Sequence, residues 1–247
     1  PAGGEAEVQE YEVEGQKGRN VLTAVGPADG PRIVIGAHYD ACGPGVGADD
    51  NASGVAGLLE LARMFKEHPP AKRVDLVAYT LEEPPFFRTT SMGSHIHAVS
   101  LATAKVDVRL MVCLEMIGYF DDRPGSQRYP VWGMGLVYPS AGNYITIAGS
   151  VGDGNLVRRF KRDMTASTDL SVWSINAPRT LAGIDFSDHR CYWDQGFRAL
   201  MITDTAFYRN ANYHLETDTP DTLDYIRMAK VVDGVFGAVS AFAADEP

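Results

Sequence analysis

The sequence predicts an α/β protein arranged as a three-layer α/β/α sandwich around a central, mostly parallel mixed sheet. Three observations carry that expectation. Short apolar runs rich in β-branched residues recur along the chain, each bounded by polar or turn residues, as strands buried on both faces require. Segments with helical spacing alternate with them, which is the order of a doubly wound sheet. No linker, repeat or low-complexity tract interrupts the 247 residues, 45% hydrophobic and 22% charged, so one domain spanning 1–247 is expected.

The elements follow in order. Val8 to Val13 alternates polar with apolar residues and reads as an edge strand. Arg32 to Ala37 is the first buried strand. Val55, Leu58, Leu59, Ala62 and Phe65 repeat at helical spacing, with Asp50, Asn51 and Ser53 ahead of them as candidate caps. Val74 to Thr80, Leu110 to Leu114 and Ala199 to Thr203 supply three further strands. Helical patterns cover Gly93 to Ala104, the region near Asn155 to Asp163, and Asp221 to Phe242.

Composition excludes some functions. The chain has 22 Lys+Arg against 32 Asp+Glu, a formal charge of -10, and no basic run, which argues against a nucleic-acid partner. No apolar stretch is long enough to cross a membrane. The chain opens at Pro1 without a methionine, as a trimmed protein would, and this favours a secreted or periplasmic location over a cytoplasmic one. Cys42, Cys113 and Cys191 are too few for a disulfide scaffold. Cys113, in an apolar run, reads as a buried thiol. Cys42 and Cys191 fall in loops near the same end of the sheet. A bridge between them is one reading, and free thiols, the default for an odd count, are the other.

Chemistry is concentrated at the strand ends. His38 and Asp40 follow the first buried strand, Glu82 and Glu83 the second, Glu115 the third, and His214 lies in the loop after Ala199 to Thr203. Ligands of open α/β sheets bind beyond the carboxyl ends of the strands. Any one of these residues could be a helix cap or a solvated loop residue. All of them together are hard to explain that way. Gly47-Ala48-Asp49-Asp50-Asn51-Ala52-Ser53-Gly54 adds two adjacent acids at a helix start; an N-cap explains one of them, and not the second.

These segments, with Leu114-Glu115-Met116-Ile117-Gly118, Ser187-Asp188-His189, and Tyr213-His214 followed by Asp218 to Asp224, resemble the co-catalytic dinuclear-zinc aminopeptidases. That superfamily also holds glutamate carboxypeptidases and glutaminyl cyclases. The resemblance implies a zinc-exopeptidase fold and two Zn2+ ions bridged by Asp49. One ion is completed by Glu83 and His214, and the other by His38 and Glu115. It implies Asp40 as the carboxylate orienting the His38 imidazole, Glu82 as general base, and Tyr213 as an oxyanion partner. It also implies a cis bond between Asp49 and Asp50. The partner is then a peptide with a free amino terminus.

Two departures from the family pattern stand out. Glu115 occupies a position where the family usually carries Asp, which weakens the expected grip on the second ion. Pro84 to Thr90 replaces a glycine-rich turn and forms either a wall of the substrate pocket or packing without substrate contact. His68, His95 and His97 read as surface or helix-packing residues, and His189 as structural support. Trp193, Phe207 and Tyr208 fit either the pocket or the core. A serine hydrolase is excluded by the lack of Gly-x-Ser-x-Gly. Three rivals to an aminopeptidase remain. A glutaminyl cyclase is disfavoured by Tyr213 and by the Asp49-Asp50 pair. A carboxypeptidase would need a cation such as Arg88, Arg190 or Arg209 for the substrate carboxylate. A catalytically dead binding domain is disfavoured by the complete set of competent side chains.

Overall fold

Residues 5–245, which the computed structural model describes, hold eight strands in one sheet. Pro1 and Pro247, the ends of the expected domain, lie outside the described residues. The strands are β1 (Glu7–Val13), β2 (Gln16–Val25), β3 (Arg32–His38), β4 (Arg73–Tyr79), β5 (Val108–Glu115), β6 (Ile145–Ser150), β7 (Val172–Ala177) and β8 (Ala199–Thr203). Their spatial order is β1-β2-β4-β3-β5-β8-β6-β7. The pairs β3/β4, β3/β5, β5/β8 and β6/β7 are parallel, and β1/β2, β2/β4 and β6/β8 are antiparallel. The sheet is therefore mixed and mostly parallel, as the sequence predicts.

Five helices cover its faces: α1 (Gly54–Glu67), α2 (Gly93–Thr103), α3 (Gly154–Ser167), α4 (His189–Asp194) and α5 (Tyr225–Ala244). On one face Leu61 and Phe65 of α1, Phe160 of α3 and Val235 of α5 pack against Ile35 and Leu114. On the other, Ala98 of α2 and Tyr192 of α4 join Val34, Tyr79 and Met111. Burying both faces explains why β3 to β5 read as continuous apolar runs. Among the described residues no helix is long and apolar enough to cross a membrane.

Some boundaries differ from the sequence expectation. The C-terminal helix starts at Tyr225 and not at Asp221, because the Asp224 carboxylate accepts the Arg227 N–H at 2.9 Å and caps it there. β3 and β5 run one residue further than expected, so that His38 and Glu115 are the last strand residues. β4, β3, β5 and β8 are consecutive in the sheet and mutually parallel. Their carboxyl ends, with the loops that follow, therefore meet on one edge.

Candidate metal centre

Each strand end at that edge delivers one part of a cluster. His38, fully buried at the end of β3, holds its Nε2 3.3 Å from Asp50 Oδ1 and 3.4 Å from Glu115 Oε2. Its Nδ1 lies 3.1 Å from the Asp40 carbonyl and 3.5 Å from the Asp40 carboxylate. The Asp40 carboxylate also accepts the backbone N–H groups of Glu82 and Glu83 at 3.2 and 3.0 Å. One side chain thus ties the ring of β3 to the turn after β4. On the far side, His214 Nε2 lies 3.1 Å from Asp50 Oδ2 and 3.3 Å from Glu83 Oε2. The Tyr213 ring stacks on the His214 ring at 3.8 Å.

Backbone geometry aims these groups. Leu81 before Glu82, Met116 after Glu115, and His214 itself all have positive φ, at 59°, 52° and 59°. For non-glycine residues this conformation costs about 1–2 kcal/mol each, and such strain concentrates where chemistry demands a particular side-chain direction. Asp50 is drawn out of helical geometry, with φ -106° and ψ 87°, and the Asp50–Asn51 peptide is cis. The expected cis bond between Asp49 and Asp50 is thus found one residue later.

The bridging role expected for Asp49 does not match its side-chain contacts. Asp49 does not face the histidines: its Oδ1 accepts the Gly118 N–H at 3.0 Å and its Oδ2 accepts Asn210 Nδ2 at 2.8 Å. Both oxygens are committed to donors away from the cluster. Asp50, the adjacent acid, presents one oxygen to each imidazole. The Asp218 carboxylate holds the turn by accepting the amide of Asp49 at 3.0 Å and that of Asp50 at 3.0 Å.

Glu115 does reach the cluster despite its extra methylene. Ser187 Oγ donates to its Oε2 at 2.6 Å, fixing the longer side chain. The Ser187-Asp188-His189 triplet is visible in the sequence, whereas this role of Ser187 is not. Asp188 beside it is completely buried and its carboxylate lacks a hydrogen-bond partner. His189 is structural, its Nε2 2.7 Å from the Ile184 carbonyl. His97, expected at the surface or in helix packing, is buried with Nδ1 2.5 Å from the Tyr192 hydroxyl.

The electrostatics are those of an acid cluster awaiting cations. Burial pushes the Glu82 carboxyl well above its usual range, against the pull of His38. Burial likewise raises Glu115. Desolvation opposes ionisation of Asp50, yet His214 and His38 hold it down at about 2. Burial disfavours a charged His214, but Asp50 and Glu83 outweigh it and raise the ring to about 10.

The residues fit a metal pair. His38 Nε2 and Glu83 Oε1 are buried without an aligned hydrogen bond, and such orphaned buried atoms are rare unless a ligand satisfies them. The donor set is imidazole and carboxylate, which suits catalytic zinc. His38, Asp50 and Glu115 place ligand atoms within 4.8 Å of one another.

Beside the cluster lies an apolar cavity of about 90 Å³ that touches Glu115 and Tyr213. Tyr144, Phe186, Phe207 and Tyr208 wall it, and Ala148 and Met201 lie on its sheet side. Phe207 and Tyr208 are thus pocket residues, whereas Trp193 is core, its indole N–H donating to the Ala199 carbonyl at 3.1 Å. The Pro84 to Thr90 segment does not line this cavity. Arg88 stacks on Phe186 at 5.0 Å and pairs with Asp185 at 2.6 Å, so the segment braces a wall residue from behind.

Comparison with known proteins gives the family and the fold. The model of Peptidase family M28 matches residues 20–239. An Escherichia coli protein described as uncharacterized protein YfbL is 52% identical over 235 residues, covering 92% of this chain and 72% of that protein. The solved structure of BSAP, a zinc aminopeptidase from Bacillus subtilis, superposes with a TM-score of 0.72 at 21% identity, over 94% of this chain and 52% of that one. Glutaminyl cyclase from Bacteroides thetaiotaomicron superposes with a TM-score of 0.70 at 16% identity, over 99% of this chain and 85% of that one. The fold is therefore shared by hydrolases and a cyclase. The chain spans about half the length of the Bacillus enzyme. With the family model covering most of the sequence, the chain belongs to Peptidase family M28.

Proposed function

We propose that this M28 peptidase is an aminopeptidase that binds two zinc ions. The observation that carries the reading is the Asp50 carboxylate between the two imidazoles, one oxygen facing His38 and the other His214. Asp50 would bridge the ions, with His38 and Glu115 completing one site and Glu83 and His214 the other. Bound zinc would supply a water acidic enough to attack near neutral pH and polarisation of the scissile carbonyl.

The chain's own residues do the rest. Glu82 has its Oε2 3.9 Å from His38 Nε2, at the centre of the cluster. It accepts the proton of the attacking water and returns it to the leaving amine. A buried carboxylate with a raised proton affinity suits that exchange. Tyr213 supplies a hydroxyl donor to the developing oxyanion. Asp40 fixes the ring of His38 and the backbone that carries Glu82. The apolar cavity receives the side chain of the first substrate residue.

The substrate terminus follows from charge. The surrounding acids attract an ammonium group. The cations a carboxypeptidase would use are drawn to other groups: Arg88 and Arg190 lie at Asp185, and the buried Arg209 donates its Nε to Gln127 at 2.9 Å. The test is a panel of aminoacyl-anilides, free and N-acetylated, before and after chelation and zinc restoration. Cleavage of free substrates only, restored by zinc, is expected. Release of a C-terminal residue from N-blocked peptides would overturn the reading, and pyroglutamate from N-terminal glutaminyl peptides would point to a cyclase.

A further inference from the structure

One side chain close to Glu83 and His214 has no place in the ligand set above. Cys42 is a free, partly exposed thiol in the loop that follows β3. Its Sγ, a Glu83 carboxylate oxygen and a His214 ring nitrogen all lie within 4.8 Å of one another. Cys42, Asp50 and His214 also border a small cavity of about 10 Å³, close to the volume of a single water-sized probe. The buried Oε1 of Glu83 has no hydrogen-bond partner, so the carboxylate that approaches the thiol carries an unsatisfied, metal-competent oxygen.

We propose that the Cys42 thiolate is a ligand of the metal held by Asp50, Glu83 and His214, an inference that rests on the dinuclear site proposed above. In a tetrahedral zinc site ligand atoms about 2.0–2.3 Å from the ion stand roughly 3.3–3.8 Å apart, so side-chain rotations that close the present spread of up to 4.8 Å bring these three onto a common centre. The loop after Cys42 permits them, because Gly43 and Gly47, which both follow it, adopt φ of 65° and 58°. On binding, the thiol gives up its proton to solvent and the sulfur lone pair forms the new bond.

The consequence is a pair of unlike sites. The site with Cys42 offers nitrogen, oxygen and sulfur donors and favours soft, thiophilic ions. The site with His38 and Glu115 offers only nitrogen and oxygen. Filling is then sequential, with the Cys42 site first, and a reagent that alkylates the Cys42 sulfur weakens the first ion and not the second.

Cobalt titration of the metal-free protein tests this without reading activity. A thiolate-to-cobalt charge-transfer band in the near ultraviolet should grow to one equivalent and stop while the second ion binds. Cys42→Ser should abolish the band and weaken the first zinc by at least the roughly 10–100-fold that loss of an outer partner brings. Cys191→Ser should leave both unchanged. Alkylation of Cys42 in the unaltered protein should be slowed by zinc, a second readout that needs no variant. Two bound ions with no band, a band surviving in Cys42→Ser, or alkylation indifferent to zinc would each overturn the thiolate ligand while leaving the dinuclear reading intact. Failure to take up any metal would overturn both.

Discussion

Asp49 and Asp50 show how little spacing reveals about adjacent acids. Either fits a bridging role by its place in Gly47 to Gly54, and the family resemblance points to the first of them. The backbone decides otherwise: Asp50 leaves helical geometry and points between the histidines, while Asp49 ties the turn to Gly118 and Asn210. Asp50→Asn should therefore lose metal, and Asp49→Asn should retain it, as elemental analysis of the purified variants would report. Metal loss from Asp49→Asn alone would restore the original assignment. Glu82→Gln keeps shape while removing the proton acceptor, and should lower kcat by roughly 10²–10⁴-fold with metal content unchanged. Ser187→Ala removes the 2.6 Å hydrogen bond to Glu115 and should weaken the ion at His38 and Glu115 by roughly 10–100-fold, read by zinc titration. That Ser187 supports Glu115 was not legible, because 72 residues separate the two.

At the scale of elements, the edge strand β1 and the central strands β3, β4, β5 and β8 are legible in the sequence, and β2, β6 and β7 are not. β3, β4, β5 and β8 are dominated by buried apolar residues, and their ends and the loops after them carry most of the cluster. β2 was missed because Gln16, Lys17, Arg19 and Asn20 break its pattern. β6 and β7 were missed because Gly149, Ser174 and Asn176 dilute short runs. Asn20 has a reason to be in β2. Fully buried, it donates to the Gly93 carbonyl at 2.8 Å and accepts the Thr80 N–H at 3.3 Å. It thereby fastens the start of α2 to the end of β4. A Cβ on Gly93 would fall 2.1 Å from Asn20 Oδ1 and 2.8 Å from the Thr80 backbone. Gly93→Ala should destabilise the protein by about 1–3 kcal/mol, the usual cost of overpacking, measured by urea unfolding. Because β4 leads into Glu82, activity should fall with stability. An unchanged midpoint would show that α2 can shift without cost.

Taken as a whole, the molecule places its acids where they repel one another unless cations intervene. Asp188, raised to about 7 chiefly by burial, and His214, raised to about 10 by Asp50 and Glu83 against its desolvation, both hold protons in the folded state that the unfolded chain releases earlier. For each, the folded pKa lies above the unfolded one, so the native state binds more protons between the two values and stability falls as pH rises across that window. For Asp188 the window runs from 3.8 to about 7, and for His214 from 6.5 to about 10. His97 and His189, held at about 4 by burial, act in the opposite sense below 6.5. The metal-free protein should therefore lose stability from pH 7 to 9, where only the first trend operates. In the proposed dinuclear site zinc would remove the cause by taking the place of the protons on the cluster. At 100-fold excess over its Kd one ion adds about 2.7 kcal/mol, and a domain of this size gains roughly 2–4 °C in Tm per kcal/mol. Thermal unfolding across pH 7 to 9 should fall steeply after chelation and stay nearly flat with zinc. Parallel curves, displaced by a constant, would mean that the ions bind without discharging the buried acids.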